Sequence, residues 1–233
     1  MKLVSVNVGM PREVVWRGRS VATGIFKEPV AGRVWLHMLN LDGDRQADLS
    51  VHGGTAKAVY GYPSEHYAFW QRELPGVALP FGIFGENFTT AGILEGELQI
   101  GDRFRIGTAQ VQVTQPRLPC YKLGIKFGRD DIVKRFLKSG RTGFYFAVTQ
   151  EGEVGAGDEF QRIARGLSGL TVPEVTCLYV AKKYDQENLP LLKRAAQAQE
   201  LPESWRRYFQ ERLAAAVARP ERPNRGGDDH VEV

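Results

Sequence analysis

Along roughly the first two-thirds of the chain, apolar and polar positions alternate in short runs divided by glycine-rich turns, the period-2 pattern of half-buried strands. Val4, Val6 and Val8 share one face of such a run, and Val34, Leu36 and Met38 share one face of another. The clearest stretch is LQIGDRFRIGTAQVQV, where Ile100, Phe104, Ile106, Val111 and Val113 occur in segments broken by Gly101-Asp102 and Gly107-Thr108. It predicts a β-meander. GFYFAVTQEGEVGAGDEF, with Phe144, Phe146 and Val148 ahead of Glu151-Gly152-Glu153, predicts a further hairpin. Little helix is expected here. The best stretch is 62–74, where Tyr67, Trp70 and Leu74 fall at helical spacing behind Ser64 as a cap.

Beyond Gly166 the period becomes helical. Thr171 to Glu174 reads as a capping box ahead of Val175, Leu178 and Tyr179. Leu189, Leu192, Ala195 and Ala196 mark a second helix, and Pro202 opens a third that carries Trp205, Tyr208, Phe209, Leu213 and Ala216. The expected architecture is a mainly β sandwich or barrel over 1–166 and a small three-helix domain over 167–219, α+β overall. The tail over 220–233, RPNRGGDDHVEV at its core, has almost no apolar residues and is expected to be disordered.

Composition narrows the class. Of 233 residues, 42% are hydrophobic and 25% charged, which suits a globular chain. The apolar run from Leu3 to Val8 is broken by Ser5 and Asn7 and falls far short of the roughly 18 residues a membrane helix needs. The start MKLVSVNVG lacks a secretory h-region, so a cytoplasmic protein is expected, with Cys120 and Cys177 both reduced. Cys177, between Val175 and Leu178, reads as a small hydrophobe on an apolar helix face. A net charge of +4 favours anionic ligands, but the basic residues are scattered among 27 acids and match no nucleic-acid-binding motif. Small anions fit better than nucleic acid.

Three stretches carry candidate chemistry. In DGDRQADLSVHGGTAKAVYGYPSEHY, Gly53 and Gly54 can bring backbone N–H groups to an anion, Lys57 can add charge, and Arg45, Gln46 and His52 can add donors. A plain glycine turn beside a solvated lysine explains the same residues equally well. In FGENFTTAGI, Asn87 offers a donor and an acceptor to the edge of a heterocycle, while Glu86-Asn87 also reads as an ordinary turn. In QPRLPCYKL, Pro119 stiffens the backbone entering Cys120, and Arg117 and Lys122 favour its thiolate. Cys120 is thus a candidate nucleophile, soft-metal ligand or sulfur shuttle. No CxxC, HExxH or GxSxG occurs, so a metal at Cys120 must bring its other ligands with it.

Taken together, these three stretches resemble the MOSC domain (molybdenum cofactor sulfurase C-terminal domain) of the bacterial YiiM-like branch, and the later helices resemble that branch's three-helix appendage. The resemblance implies a β-barrel-like domain binding a molybdenum-pterin cofactor (Moco), with Cys120 as the protein thiolate on the metal. It places Arg45, Gln46, His52, Gly53, Gly54, Lys57, Asn87, Arg117 and Lys122 on the cofactor side. Related proteins reduce N-hydroxylated compounds, including hydroxylaminopurine base analogues, to amines, with electrons from an external flavoprotein or iron-sulfur donor. Glu86, His66 and Asp48 are then candidates to deliver protons. Ala56 stands where the branch often has an acidic residue, and the expected consequence is either a Lys57 more available to an anion or altered substrate contacts. Two other roles remain open: a sulfur carrier holding a persulfide on Cys120, and an anion- or pyridoxal-phosphate-binding module using Lys57. A homodimer is the prior for assembly.

Overall fold

The computed structural model describes residues 1–48, 53–184 and 186–218. The strands are β1 (Lys2–Val8), β2 (Arg12–Trp16), β3 (Arg19–Thr23), β4 (Glu28–Pro29), β5 (Arg33–Leu36), β6 (Val59–Pro63), β7 (Phe88–Ala91), β8 (Arg103–Ile106), β9 (Ala109–Pro116), β10 (Phe144–Gln150), β11 (Gly152–Gly155) and β12 (Phe160–Ala164). The helices are α1 (Glu65–Glu73), α2 (Tyr121–Phe127), α3 (Ile132–Ser139), α4 (Val172–Val180), α5 (Leu189–Gln197) and α6 (Glu203–Val217). Eight strands form one sheet in the order β12-β8-β9-β10-β6-β7-β1-β4. The sheet curls on itself. Leu3 N–H donates to Asp158 O at 2.9 Å and Phe160 N–H to Met1 O at 3.1 Å, so β1 meets the entry to β12 from the far side.

The expected meander is present as the antiparallel pair β8–β9, with Phe104 opposite Val111 and both fully buried. The expected hairpin at 144–155 is not formed. A single residue, Glu151, separates β10 from β11, too few for a two-residue hairpin turn, and β11 pairs with β5 instead, Val154 opposite Val34. β6 and β7 run parallel, and α1 makes the crossover between them. Ser64 occupies the N-cap of α1 but makes no side-chain cap bond. Two helices, α2 and α3, add to the expected one in the β region.

Two cores result. Inside the barrel, Leu3, Phe88, Phe104, Phe144, Phe146 and Phe160 pack into a cluster that continues without a break through Leu170 into Val172, Leu192 and Phe209 of the C-terminal helices. The second core, Tyr62, Trp70, Phe84, Leu123 and Phe136, seats α1, α2 and α3 on the sheet. The predicted capping box is made: Thr171 Oγ1 accepts from Glu174 N–H, and the Glu174 carboxylate accepts from Thr171 N–H. The junction to these helices is held by the buried carboxylate of Asp102, which accepts from Gly166 N–H at 2.9 Å, and by the Ile100 N–H bond to Leu170 O at 2.8 Å. Cys177 is not on the packed face of α4; it is exposed, because Val172, Val175 and Leu178 already fill the inward stripe. The 220–233 tail expected to be disordered lies outside the described residues. No helix among the described residues is long and apolar enough to cross a membrane.

Candidate functional site

A cleft of about 660 Å³, counting its open mouth, lies at one end of the barrel. Its wall takes Tyr60 from β6, Tyr145 from β10 and Thr23 from the end of β3. Lys57 comes from the turn before β6 and Asn87 from the residue before β7, while Arg117, Leu118 and Cys120 come from the loop after β9 and Lys122 from α2. The loop at 44–47 closes the other side. Backbones approach closely here. A Cβ on Gly24 would sit 2.4 Å from Arg45 O, so the 24 and 45 segments can touch only with glycine at that position.

Three stretches distant in sequence therefore meet, and Arg45, Gln46, Lys57, Asn87, Arg117, Cys120 and Lys122 all line the same cleft. Gly53 and Gly54 do not. Gly54, at φ +92°, turns the chain so that its carbonyl accepts from Lys57 N–H at 3.0 Å, while Thr114 Oγ1 donates to Ala56 O at 2.6 Å. Gly54 thus helps set the turn that carries Lys57 without lining the cleft. His52 lies outside the described residues. Asp48 follows the lining residue Ala47 without lining the cleft itself.

Glu86 and His66, expected as proton carriers, are placed elsewhere. Glu86 is fully buried behind the wall, where Oε1 accepts from Gly82 N–H at 2.8 Å, from Thr89 Oγ1 at 3.1 Å and from the Tyr67 hydroxyl, and Oε2 accepts from Phe84 N–H at 3.0 Å. Burial pushes its carboxyl up, with those donors pulling the other way. The His66 ring bonds Glu95 at 2.8 Å, and Glu95 also accepts from Gly143 N–H. Both carboxylates hold loops together.

Asn87 lines the cleft, but its amide is committed to the protein. Its Oδ1 accepts from Tyr60 N–H at 3.1 Å, and its Nδ2 donates to Asp44 Oδ2 at 2.9 Å and to Asn7 O at 3.3 Å. Both N–H groups and one lone pair of the amide oxygen are engaged, so Asn87 serves as a brace between wall and floor. Asp44, absent from the sequence-based set, is the hub: it also accepts from Gly9 N–H at 2.9 Å and pairs with Lys27, both side chains almost wholly buried. Lys27 came from no motif, and its contact spans 17 residues with no local signature.

Electrostatically the cleft is positive. Lys27, Arg45, Lys57, Arg117 and Lys122 give five cations against the carboxylate of Asp44, which Lys27 already neutralises. Arg117 is 5% exposed, lies between the rings of Tyr60 and Phe136 at 5.1 and 5.2 Å, and has a buried Nη1 with no hydrogen-bond partner among the described residues. Burial works against its charge, but Tyr60, Tyr145 and Cys120 act to hold the proton on, and its pKa is raised overall. A buried guanidinium with an unmet donor, next to a thiol and open to a cleft, suits a multiply charged anion. Cys120 is partly buried, is in no disulfide, and caps α2 with extended backbone. No three His, Cys, Asp or Glu side chains cluster as a metal site among the described residues, so the cleft offers a metal one thiolate and a set of cations.

The profile of the MOSC domain matches residues 48–161, and that of the YiiM-like, 3-alpha helix domain matches residues 170–216. YflK of Bacillus subtilis (strain 168) is 42% identical over 207 residues, which cover 89% of this chain and 92% of that protein. The chain belongs to the MOSC domain family. Its architecture is that of the family's YiiM-like members: the crystal structure of YiiM from Geobacillus stearothermophilus superposes with a TM-score of 0.75 at 35% identity, covering 91% of this chain and 98% of that one. A Gibberella moniliformis (strain M3125 / FGSC 7600) protein named Reductase is 32% identical over 151 residues, 64% of this chain and 27% of that protein. The cleft combines residues of the matched MOSC segment, from Lys57 to Tyr145, with Thr23–Lys27 and Asp44–Ala47, which precede it.

Lys126, at the end of α2, stands 4.9 Å from the ring of Phe26 behind the cleft's Gly24–Lys27 wall. Burial pushes its pKa down to about 8; Glu86 opposes the shift and Arg12 adds to it. Between about pH 8 and the unfolded value near 10.5 the unfolded chain binds more protons, so stability should rise with pH across that window. Below pH 8 both states are protonated and the full cost of the buried charge is present. Thermal unfolding of Lys126→Met followed from pH 7 to 10.5 should show a flatter rise than the parent. Parallel curves would contradict the assignment.

Proposed function

We propose that the chain is a molybdenum-cofactor-dependent reductase that converts N-hydroxylated compounds, such as hydroxylaminopurine base analogues, to amines. The observation that carries this reading is that Cys120 lines one basic cleft with the buried Arg117, whose Nη1 has no hydrogen-bond partner among the described residues. When bound there, a molybdenum-pterin group would supply the two-electron redox centre and the remaining sulfur and oxygen ligands, so that a single protein thiolate is enough. Cys120 would hold the metal, and Arg117, Lys122 and Arg45 would hold the anionic part. Membership of the MOSC domain family supports the cofactor class, and the relative named Reductase supports the reaction type.

The overall change, R–NHOH + 2e⁻ + 2H⁺ → R–NH₂ + H₂O, draws electrons from an external flavoprotein or iron-sulfur donor. The deciding assay uses protein from a host that makes the cofactor, shown by metal analysis to hold molybdenum, with a reduced viologen and N-hydroxylaminopurine. The expected result is viologen oxidation with adenine formed in a 2:1 electron balance. No turnover by protein that holds the metal would sink the reading.

A further inference from the structure

We infer that the groove between the β2–β3 hairpin and helices α2 and α3 is the docking surface for an acidic electron-carrier protein, the external donor of the reductase reading on which this inference rests. Trp16, Arg17 and Val21 of the hairpin face Tyr121 and Gly124 of α2 and Val133 of α3 across an open cavity of about 1280 Å³. The docked carrier gives up the two electrons that R–NHOH takes up with two protons from solvent, and it leaves oxidised.

Position carries the first part. α2 borders both cavities: its N-cap Cys120 and Lys122 line the cleft, while Tyr121 and Gly124 line the groove. β3 does the same, with Thr23 in the cleft and Val21 in the groove. A protein seated in the groove is thus one helix, about 10–12 Å across, from the proposed metal thiolate without occupying the cleft. The side chains carry the second part. Trp16 pairs with Arg19 and Val14 with Val21 across the ladder, and cross-strand partners share a face, so aromatic, cationic and apolar groups stand together on the groove side. Tyr121 opposite them is 57% exposed. Trp, Tyr and Arg are the side chains that dominate protein–protein contacts. The hairpin is also held in place: Arg17 at φ 52° and Gly18 at φ 74° form the left-handed two-residue turn that suits strand twist, and Arg17 pairs with Asp130 across the groove. Charge selects the partner. The segments 12–23 and 121–141 hold ten Arg and Lys against three Asp and Glu, a net of +7, whereas the whole chain carries +4, so the remainder is net negative. An acidic surface is therefore steered to this side. Asp130 among the cations, with Trp16 and Val133 beside it, fits the mixed surface of a protein better than a run of phosphates.

Reversing the two groove arginines in the molybdenum-loaded protein tests the assignment. Arg17→Asp places a residue that tolerates the left-handed turn, and Arg19→Glu changes an exposed position. With reduced flavodoxin, an acidic carrier, as donor, the double variant should raise the KM for the carrier by about tenfold or more at low salt and lose most of the parent's dependence on ionic strength. The KM for N-hydroxylaminopurine and the turnover driven by reduced viologen, a small donor that needs no docking surface, should match the parent's. Calorimetric titration with the oxidised carrier should show the same loss of affinity without turnover. Lys182→Glu/Lys183→Glu, an equal charge change just after α4, should leave all of these at the parent's values. An unchanged carrier KM in the groove variant, or an equal loss in the α4 variant, would overturn the docking site. So would a parent that accepts electrons from viologen but not from the carrier, or that binds anionic vesicles or nucleic acid through the same arginines in the carrier's place. A loaded parent inactive with viologen as well would bring down the reductase reading instead, and the calorimetric arm would still judge the groove.

Discussion

Cys120→Ser should leave a folded protein that neither retains molybdenum nor reduces an N-hydroxylated substrate. The thiolate is the protein's one covalent hold on the metal in the proposed site, and even residues that only support a ligand cost 10- to 100-fold in metal affinity when changed. Loss of the ligand itself should therefore lower both metal content and turnover by more than about 100-fold. The fold should not suffer. Cys120 stands at the N-cap of α2, makes no side-chain cap bond, and has the extended backbone that serine favours there. Metal analysis and thermal unfolding on the same preparation separate the two effects. Molybdenum at the parent level in Cys120→Ser would refute Cys120 as ligand. A metal-free parent carrying labile sulfane sulfur on Cys120 would instead favour a sulfur carrier.

The motif cysteine and its cations were legible because the chemistry is local: Arg117, Cys120 and Lys122 come from one loop and the start of one helix, and Lys57 from one glycine turn. The meander and the three C-terminal helices were legible for the same reason. Alternation, a capping box and a 3.6-residue stripe are properties of neighbours in sequence. What sequence reading missed depends on partners far apart. β11 leaves β10 for β5 because of a strand over a hundred residues earlier. Asn87 has the right groups for a ligand, but Tyr60, Asp44 and Asn7, 27 to 80 residues away, engage them and no local pattern records that, whereas Glu86 is held mainly from within four residues, by Gly82, Phe84 and Thr89. α3 was within reach, since Ile132, Val133, Phe136 and Leu137 repeat at helical spacing. Its apolar face was hidden by the expectation of strands.

Asp44 illustrates the same point energetically, and Asp44→Asn should be the most destabilising substitution at the cleft that leaves every candidate site residue named from the sequence intact. Its carboxylate ties four segments: Gly9 after β1, Lys27 ahead of β4, Asn87 before β7, and its own loop against the mouth. An asparagine of nearly the same shape removes the charge opposite Lys27, whose side chain is 9% exposed, and turns an amide N–H₂ toward one of three donors. Breaking a buried pair from one side costs about 3–5 kcal/mol, because the remaining charge has neither partner nor water. In a chain of this size that corresponds to a fall in Tm of roughly 6–20 °C. Burial already pulls the Lys27 pKa down against the stabilising effect of Asp44, so removing the carboxylate should leave that lysine neutral or the loop displaced. The double variant Lys27→Met/Asp44→Asn should recover the greater part of the loss, because it removes the stranded charge and keeps the apolar stem. Thermal unfolding of the metal-free proteins measures this cycle without reference to activity. A single Asp44→Asn variant within about 1 kcal/mol of the parent, or a double variant no more stable than the single, would show that the pair is not what holds the cleft floor.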